Sequence, residues 1–216
     1  MEALQKLLTH ELSDLYDAEQ QIVKALPKLI QAASSSELQE ALQEHLSVTQ
    51  KQIERLDEVF SALGEKREQK KCKGMAGLIA EGEDVISEDF EESTQDAGII
   101  GAAQRVEHYE IAAYGTARTL AQTLGNSEVA DLLEESLEEE KEADERLTQI
   151  AESAVNAEAA AEEDEEEGSS GNGGRSRATA GASSSRGSSG SRSSGSRSSK
   201  SRNTRTRSRT KSKAGR

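Results

Sequence analysis

Apolar residues recur at helical spacing along most of the first three quarters of the chain, with polar residues filling the positions between them. Leu4, Leu8, Leu12, Leu15, Ile22, Leu26 and Leu29 form one stripe, which predicts a helix from roughly Glu2 to Ala33. Pro27 lies inside it and is expected to bend that helix or to mark its last part. A second stripe, Leu38, Leu42, Leu46, Ile53, Leu56, Phe60 and Leu63, predicts a helix over about Glu37 to Leu63, with Ser36 and Gln39 spaced as a capping box. Gly64 ends it, and a longer connection follows through "EKREQKKCKGMAG", with a short helix expected over Leu78 to Glu91.

A third long helix is predicted from Ala97 to Leu124 and a fourth from about Glu128 to Val155, with "GNS" (Gly125 to Ser127) supplying a stop and a new cap between them. Two tight hairpins joined by a long crossover that holds a short fifth helix are the layout of an all-α, ferritin-like four-helix bundle. Cytokine-type bundles use two long crossovers and fit less well.

Each stripe is interrupted by polar residues. Glu19 follows Leu15 by one turn in the first helix. In the third, the stretch "VEHYEIAAYG" puts Glu107 and Glu110 where apolar residues belong. Glu140 and Asp144 stand between Leu137 and Leu147 in the fourth, and the second carries His45, Thr49 and Gln52 along one edge of its apolar face. Reflecting positions about the two hairpin turns brings Glu107 level with Asp144, Glu110 level with Lys141 beside Glu140, and Glu19 level with Thr49.

Carboxylates converging inside a bundle without Lys or Arg repel one another, and a cation removes the conflict. Carboxylates with imidazole suit iron or manganese, and di-iron bundles use a Glu from each of two helices and Glu-x-x-His from the other two. The expected ligand set is therefore Glu19, Glu107, Glu110 and Glu140, with Asp144 replacing a histidine and His45 nearby, around one or two ions. Thr49 and Gln52 keep the Glu-x-x-His spacing but neither residue type. The competing reading is a helical scaffold in which the acids bind water or share protons. Tyr16, Tyr109 and Tyr114 are expected as core aromatics, with Tyr16 and Tyr109 flanking the acids.

Composition divides the chain. The segment from Gly168 to Arg216 carries thirteen of the 27 Lys and Arg and none of the 41 acids, so the preceding residues hold a formal charge of −27. The expected organisation is a bundle over 1–157, an acidic linker over 158–167 and a basic tail over 168–216. The Ser/Gly/Arg composition of the tail predicts disorder. Its charges, including Arg202, Arg205, Arg207, Arg209, Lys211 and Lys213, suit non-specific contact with nucleic-acid phosphates. Back-binding to the acidic body competes with that role. A single cysteine, Cys72, excludes a disulfide within the chain. It fits a reducing compartment; its basic surroundings could lower the thiol pKa and make it redox-sensitive, but a spectator thiol is the expected reading. No stretch has the pattern of a signal peptide or a membrane span, so a cytoplasmic protein that does not enter membranes is expected, one that the tail could place on the nucleoid.

The stretches "LSDLYDAEQQIVKALPKL", "CKGMAGLIAEG", "AAQRVEHYEIAAYGT" and "LEEEKEADERLT" resemble the YciF (DUF892) family of ferritin-like bacterial stress proteins from Leu4 to Ala151. The resemblance implies a ferritin-like bundle, a homodimer, a rubrerythrin-like di-metal site and a role in stress response, with no established reaction. The family pattern falls on Glu19, Glu107, Glu110 and Glu140. Ser47, Val48, Thr49 and Gln50 leave the second helix short of the acids and histidine that relatives tend to carry there.

Overall fold

The computed structural model describes residues 1–161, and these are helical with no strand among them. Five helices follow in order: α1 (Glu2–Ala32), α2 (Ser36–Leu63), α3 (Lys73–Ser87), α4 (Glu92–Thr123) and α5 (Ser127–Ile150). A π-helical turn, Ala151–Val155, extends α5, and helix continues through residue 161. The proposed tail, and most of the acidic linker, lie outside the described residues.

Local signals explain most boundaries. Ser35, rather than Ser36, caps α2 by accepting from the Leu38 N–H at 3.4 Å, while the Gln39 amide donates to the Ala33 carbonyl at 2.6 Å. The expected capping box does not form: Leu38 stands at the third helical position, and the Ser35 N–H goes to Asp96 Oδ2 instead. Gly64 closes α2 with φ of 64°, a left-handed conformation that glycine adopts without a Cβ clash. Gly125 does the same at φ of 79°, and Asn126 caps α5 by accepting from Val129 N–H at 3.3 Å.

Two starts differ from expectation. α3 begins at Lys73 because the Cys72 sulfur accepts from the Met75 N–H at 3.4 Å, a capping role that thiols seldom take. α4 begins at Glu92 rather than Ala97, through a polar first turn that carries no apolar periodicity. Pro27 lies in the last part of α1 with its ring exposed, and the helix continues past it to Ala32.

α1 packs on α2 and α4, and α5 packs on the same two helices, so the four long helices enclose a shared interior. α3 lies across α1 and α4. The interior holds two apolar clusters. Ile22, Leu26, Leu38, Leu42, Ile99 and Ile150 belong to one; Leu12, Leu15, Leu56, Val59, Ala117 and Leu133 belong to the other. Each buried leucine or isoleucine contributes about 1.5–3 kcal/mol of transfer free energy. Along all four long helices the interrupting polar residues fall between the stretches that build these clusters. The acids therefore occupy a layer with carbon on both sides.

Candidate metal centre

Four side chains from three helices meet in that layer. One ligand atom each from His45 (α2), Glu107 and Glu110 (α4) and Glu140 (α5) lies within 4.8 Å of all the others. Their exposures are 7%, 2%, 0% and 0%, too low for solvent to stabilise the charges. His45 Nε2 stands 3.4 Å from Glu107 Oε1. Helix spacing explains the convergence: Glu107 and Glu110 are three residues apart on α4 and share a face.

Glu19 of α1 is fully buried beside this group, although it is not one of the four. Its Oε1 accepts from the Tyr114 hydroxyl at 2.5 Å. Gln52 of α2, also fully buried, donates its amide to Glu140 Oε1 and to Glu139 Oε2, the latter at 3.1 Å. Arg55 holds Glu139 through two bonds of 2.7 and 2.9 Å. Among the described residues the one cation in this network, Arg55, thus faces Glu139 at the edge and bonds none of the buried acids.

Burial sets the protonation states. It raises the Glu19 carboxyl to about 8, the Glu140 charge adding to the rise and the Tyr114 hydrogen bond opposing it. Burial and the neighbouring carboxylates hold Glu107 and Glu110 well above the ordinary range. Burial also lowers His45, which leaves a neutral imidazole able to act as a ligand. Among the described residues no neutral or cationic donor reaches Glu107 Oε2, either Glu110 oxygen or Glu140 Oε2, nor Glu19 Oε2 beside them. These acids meet only one another and His45, Glu19 with Glu110 and Glu107 with Glu140. Buried polar atoms are nearly always satisfied, so a cluster of acids and one imidazole with no other partner fits a divalent ion. The donor set suits iron or manganese.

The other expected residues sit elsewhere. Asp144 does not join the group: its Oδ1 accepts from Gln104 at 3.0 Å, and its Oδ2 lies 3.2 Å from His108 Nε2, at the partly exposed edge of the α4–α5 contact. Thr49 is fully buried but donates its hydroxyl to the His45 carbonyl of its own helix. Tyr16 bonds Asp57 at 3.3 Å under the Arg67 guanidinium, and Tyr109 bonds Asp14 at 2.8 Å. The tyrosine that touches the acids is Tyr114, four residues beyond Glu110 and on the same face of α4. The Cys72 thiol is raised rather than lowered, by burial first and then by Asp14. The tail residues Arg202, Arg205, Arg207, Arg209, Lys211 and Lys213 lie outside the described residues.

Comparison with known proteins agrees with this architecture. Residues 3–160 match the family model described as a domain of unknown function, DUF892. The protein YciF of Escherichia coli K12 is 46% identical over 160 residues, which cover 74% of this chain and 96% of YciF. The crystal structure of that E. coli stress protein superposes with a TM-score of 0.70, covering 72% of this chain and 99% of the other. YcfI from Rhodopseudomonas palustris, described as a candidate structural protein, superposes with a TM-score of 0.66 at 46% identity, covering 67% and 92%. Among the described residues no helix is long and apolar enough to cross a membrane. The chain belongs to the YciF-type DUF892 family.

Proposed function

We propose that the bundle holds one or two iron or manganese ions and serves in a bacterial stress response, limiting the damage done by iron with peroxide or oxygen. The observation that carries this reading is the convergence of His45, Glu107, Glu110 and Glu140, buried, within 4.8 Å and without a Lys or Arg partner. The similarity to E. coli YciF, a stress protein by description, supports the physiological setting.

His45, Glu107, Glu110 and Glu140 would hold the metal, with Glu19 available from the remaining helix. Bound iron supplies one-electron chemistry toward dioxygen or peroxide. Gln52 orients Glu140, and Tyr114 orients Glu19. The apolar clusters above and below shield the layer from water along the bundle axis, which strengthens the electrostatic contacts within it. Protons held on the buried carboxyls at neutral pH leave when a cation takes their place.

The same reading includes a homodimer, as the family resemblance implies, and a cytoplasmic location in which the basic tail tethers the body to nucleic acid. Non-specific binding through the tail would fall with salt, with a log–log slope of about 0.9 per phosphate neutralised. Truncation before Gly168 should abolish it. Unchanged DNA binding by the truncated chain would remove the tail from the account.

A second reading has one observation in its favour. α2 offers Thr49 and Gln52 where an acid and a histidine would complete a di-metal pattern. In that case the bundle is a non-catalytic scaffold, or a DNA-associated protein, whose carboxyls share protons. Iron(II)-dependent peroxide consumption, compared with a Glu110→Ala variant, separates the two. Faster consumption by the parent chain supports the metal reading, and equal rates support the scaffold.

A further inference from the structure

His45 borders two cavities of opposite character. Between α2 and α5 lies a cleft of about 390 Å³ lined by Glu44, Glu139, Glu142 and Glu145 as well as His45. Arg146 lines it too, against those four acids, so the cleft is net acidic and suits water and cations. Where α1, α3 and α4 meet, on the other side, lies a smaller pocket of about 30 Å³. Ile22, Leu26, Leu78, Ile79, Ile86 and Val106 provide most of its wall. Only four of its lining residues are charged or titratable, and they form two pairs. Lys28 and Glu83, joined at 2.5 Å, are exposed; His45 and Glu107 are buried. The pocket therefore runs from a surface ion pair to the edge of the candidate metal centre.

Small residues keep this space open. Ala25, Ala102, Ala103 and Gly82 all line it. A Cβ built on Gly82 would meet Ala102 Cβ at 3.6 Å, an ordinary contact, so close packing does not demand glycine there. Gly in a helix interior costs about 1 kcal/mol relative to Ala, and here its missing side chain leaves volume rather than relieving a clash.

The volume exceeds the roughly 10–15 Å³ that admits one water-sized probe, yet the walls offer water almost no partner. Enclosed apolar cavities stay dry and take up non-polar gases, and the apolar inner wall of this pocket offers the same surroundings. A cation or peroxide would lose its hydration without compensation, and both have the acidic cleft as an alternative. A chain-like lipid is too large.

We propose that this pocket binds dioxygen as a small non-polar molecule, against the His45 and Glu107 edge of the layer. As a gas site it stands on the pocket alone. As a supply of dioxygen to bound metal it rests on the metal-binding reading, and it selects dioxygen over peroxide as the molecule this side of the centre admits.

Dioxygen is paramagnetic, so methyl relaxation of the metal-free, full-length protein under dioxygen pressure reports its position directly. The methyls of Leu26, Leu78, Ile79 and Val106 should relax several times more strongly than those of Leu8 and Leu133, which are buried in the other apolar cluster. Gly82→Leu and Ala25→Leu, two independent fillings of the pocket, should remove the excess. Equal enhancement across all six residues in the parent chain would overturn the proposal, as would an excess that survives in both folded variants. Elemental analysis of the metal-loaded chain decides the metal reading separately. Absence of metal there, with the methyl excess intact, removes that reading and leaves the gas site standing.

Discussion

The Tyr114 hydroxyl of α4 donates to Oε1 of Glu19 on α1 at 2.5 Å, inside a layer where both side chains are fully buried. Of the groups that shift the Glu19 carboxyl, Tyr114 opposes the rise that burial and Glu140 impose. Tyr114→Phe should therefore move Glu19 further up and shift metal uptake to higher pH. Losing one buried partner should also destabilise the protein by about 1–3 kcal/mol in urea denaturation. An unchanged pH midpoint for metal uptake would show that Glu19 takes no part in binding.

Gln52 marks where this chain departs from the two-acid, two-motif arrangement. Gln52→Glu replaces an amide that donates to Glu140 with a second carboxylate. The metal-free protein should become less stable, because one more acid enters a layer without a cation. Metal affinity should rise by about tenfold or more, on the scale of changes beside metal ligands. A chelator competition titration measures it, and equal affinity would place Gln52 outside the ion's reach.

Stability should depend on pH in opposite ways with and without metal. The Glu19 carboxyl titrates near 8 in the folded protein against an ordinary value of 4.5, so the folded state binds more protons in between. Stability of the metal-free protein then falls as pH rises across that window. Glu107 and Glu110, shifted in the same direction, steepen the fall. Metal binding displaces the protons, and the loaded protein should gain stability over the same range. Thermal unfolding from pH 5 to 8 with and without manganese(II), by this account of about three coupled carboxyls, checks both slopes.

A residue far from the centre holds the first hairpin. Asp96 of α4, 2% exposed, accepts from the backbone N–H of Ser34 and Ser35 at 2.8 and 2.7 Å. Asp96→Ala should cost about 2–3 kcal/mol in denaturant unfolding and leave metal stoichiometry unchanged. Asp96→Asn, which keeps one acceptor oxygen, should lose less.

The bundle was legible because the apolar stripes of α1, α2 and α5 are long and regular, and because Gly64, Gly125 and Asn126 punctuate them. The polar layer was legible because Glu19 and Glu140 interrupt the stripes of α1 and α5, and Glu107 and Glu110 that of α4, at matching heights. What the sequence concealed is axial. Asp144 follows Glu140 by four residues, about 6 Å further along α5, where Gln104 and His108 of α4 meet it at the edge. Tyr114 carries the same i, i+4 relation to Glu110, but three tyrosines lay near the acids and spacing alone did not rank them. The start of α3 was hidden because its cap is a cysteine, and that of α4 because "ESTQD" has no apolar period.

Whether the buried acids hold a cation is decided by the metal content per chain. The full-length protein is loaded with iron(II) or manganese(II), desalted, and analysed by elemental mass spectrometry beside Glu110→Ala and His45→Ala. About one or two ions should stay with the parent chain, within the range that bundle carboxylate sites hold, and both variants should lose them. A parent chain that retains none, while remaining folded, would rule out the metal and leave the carboxyls as proton-sharing groups in a scaffold.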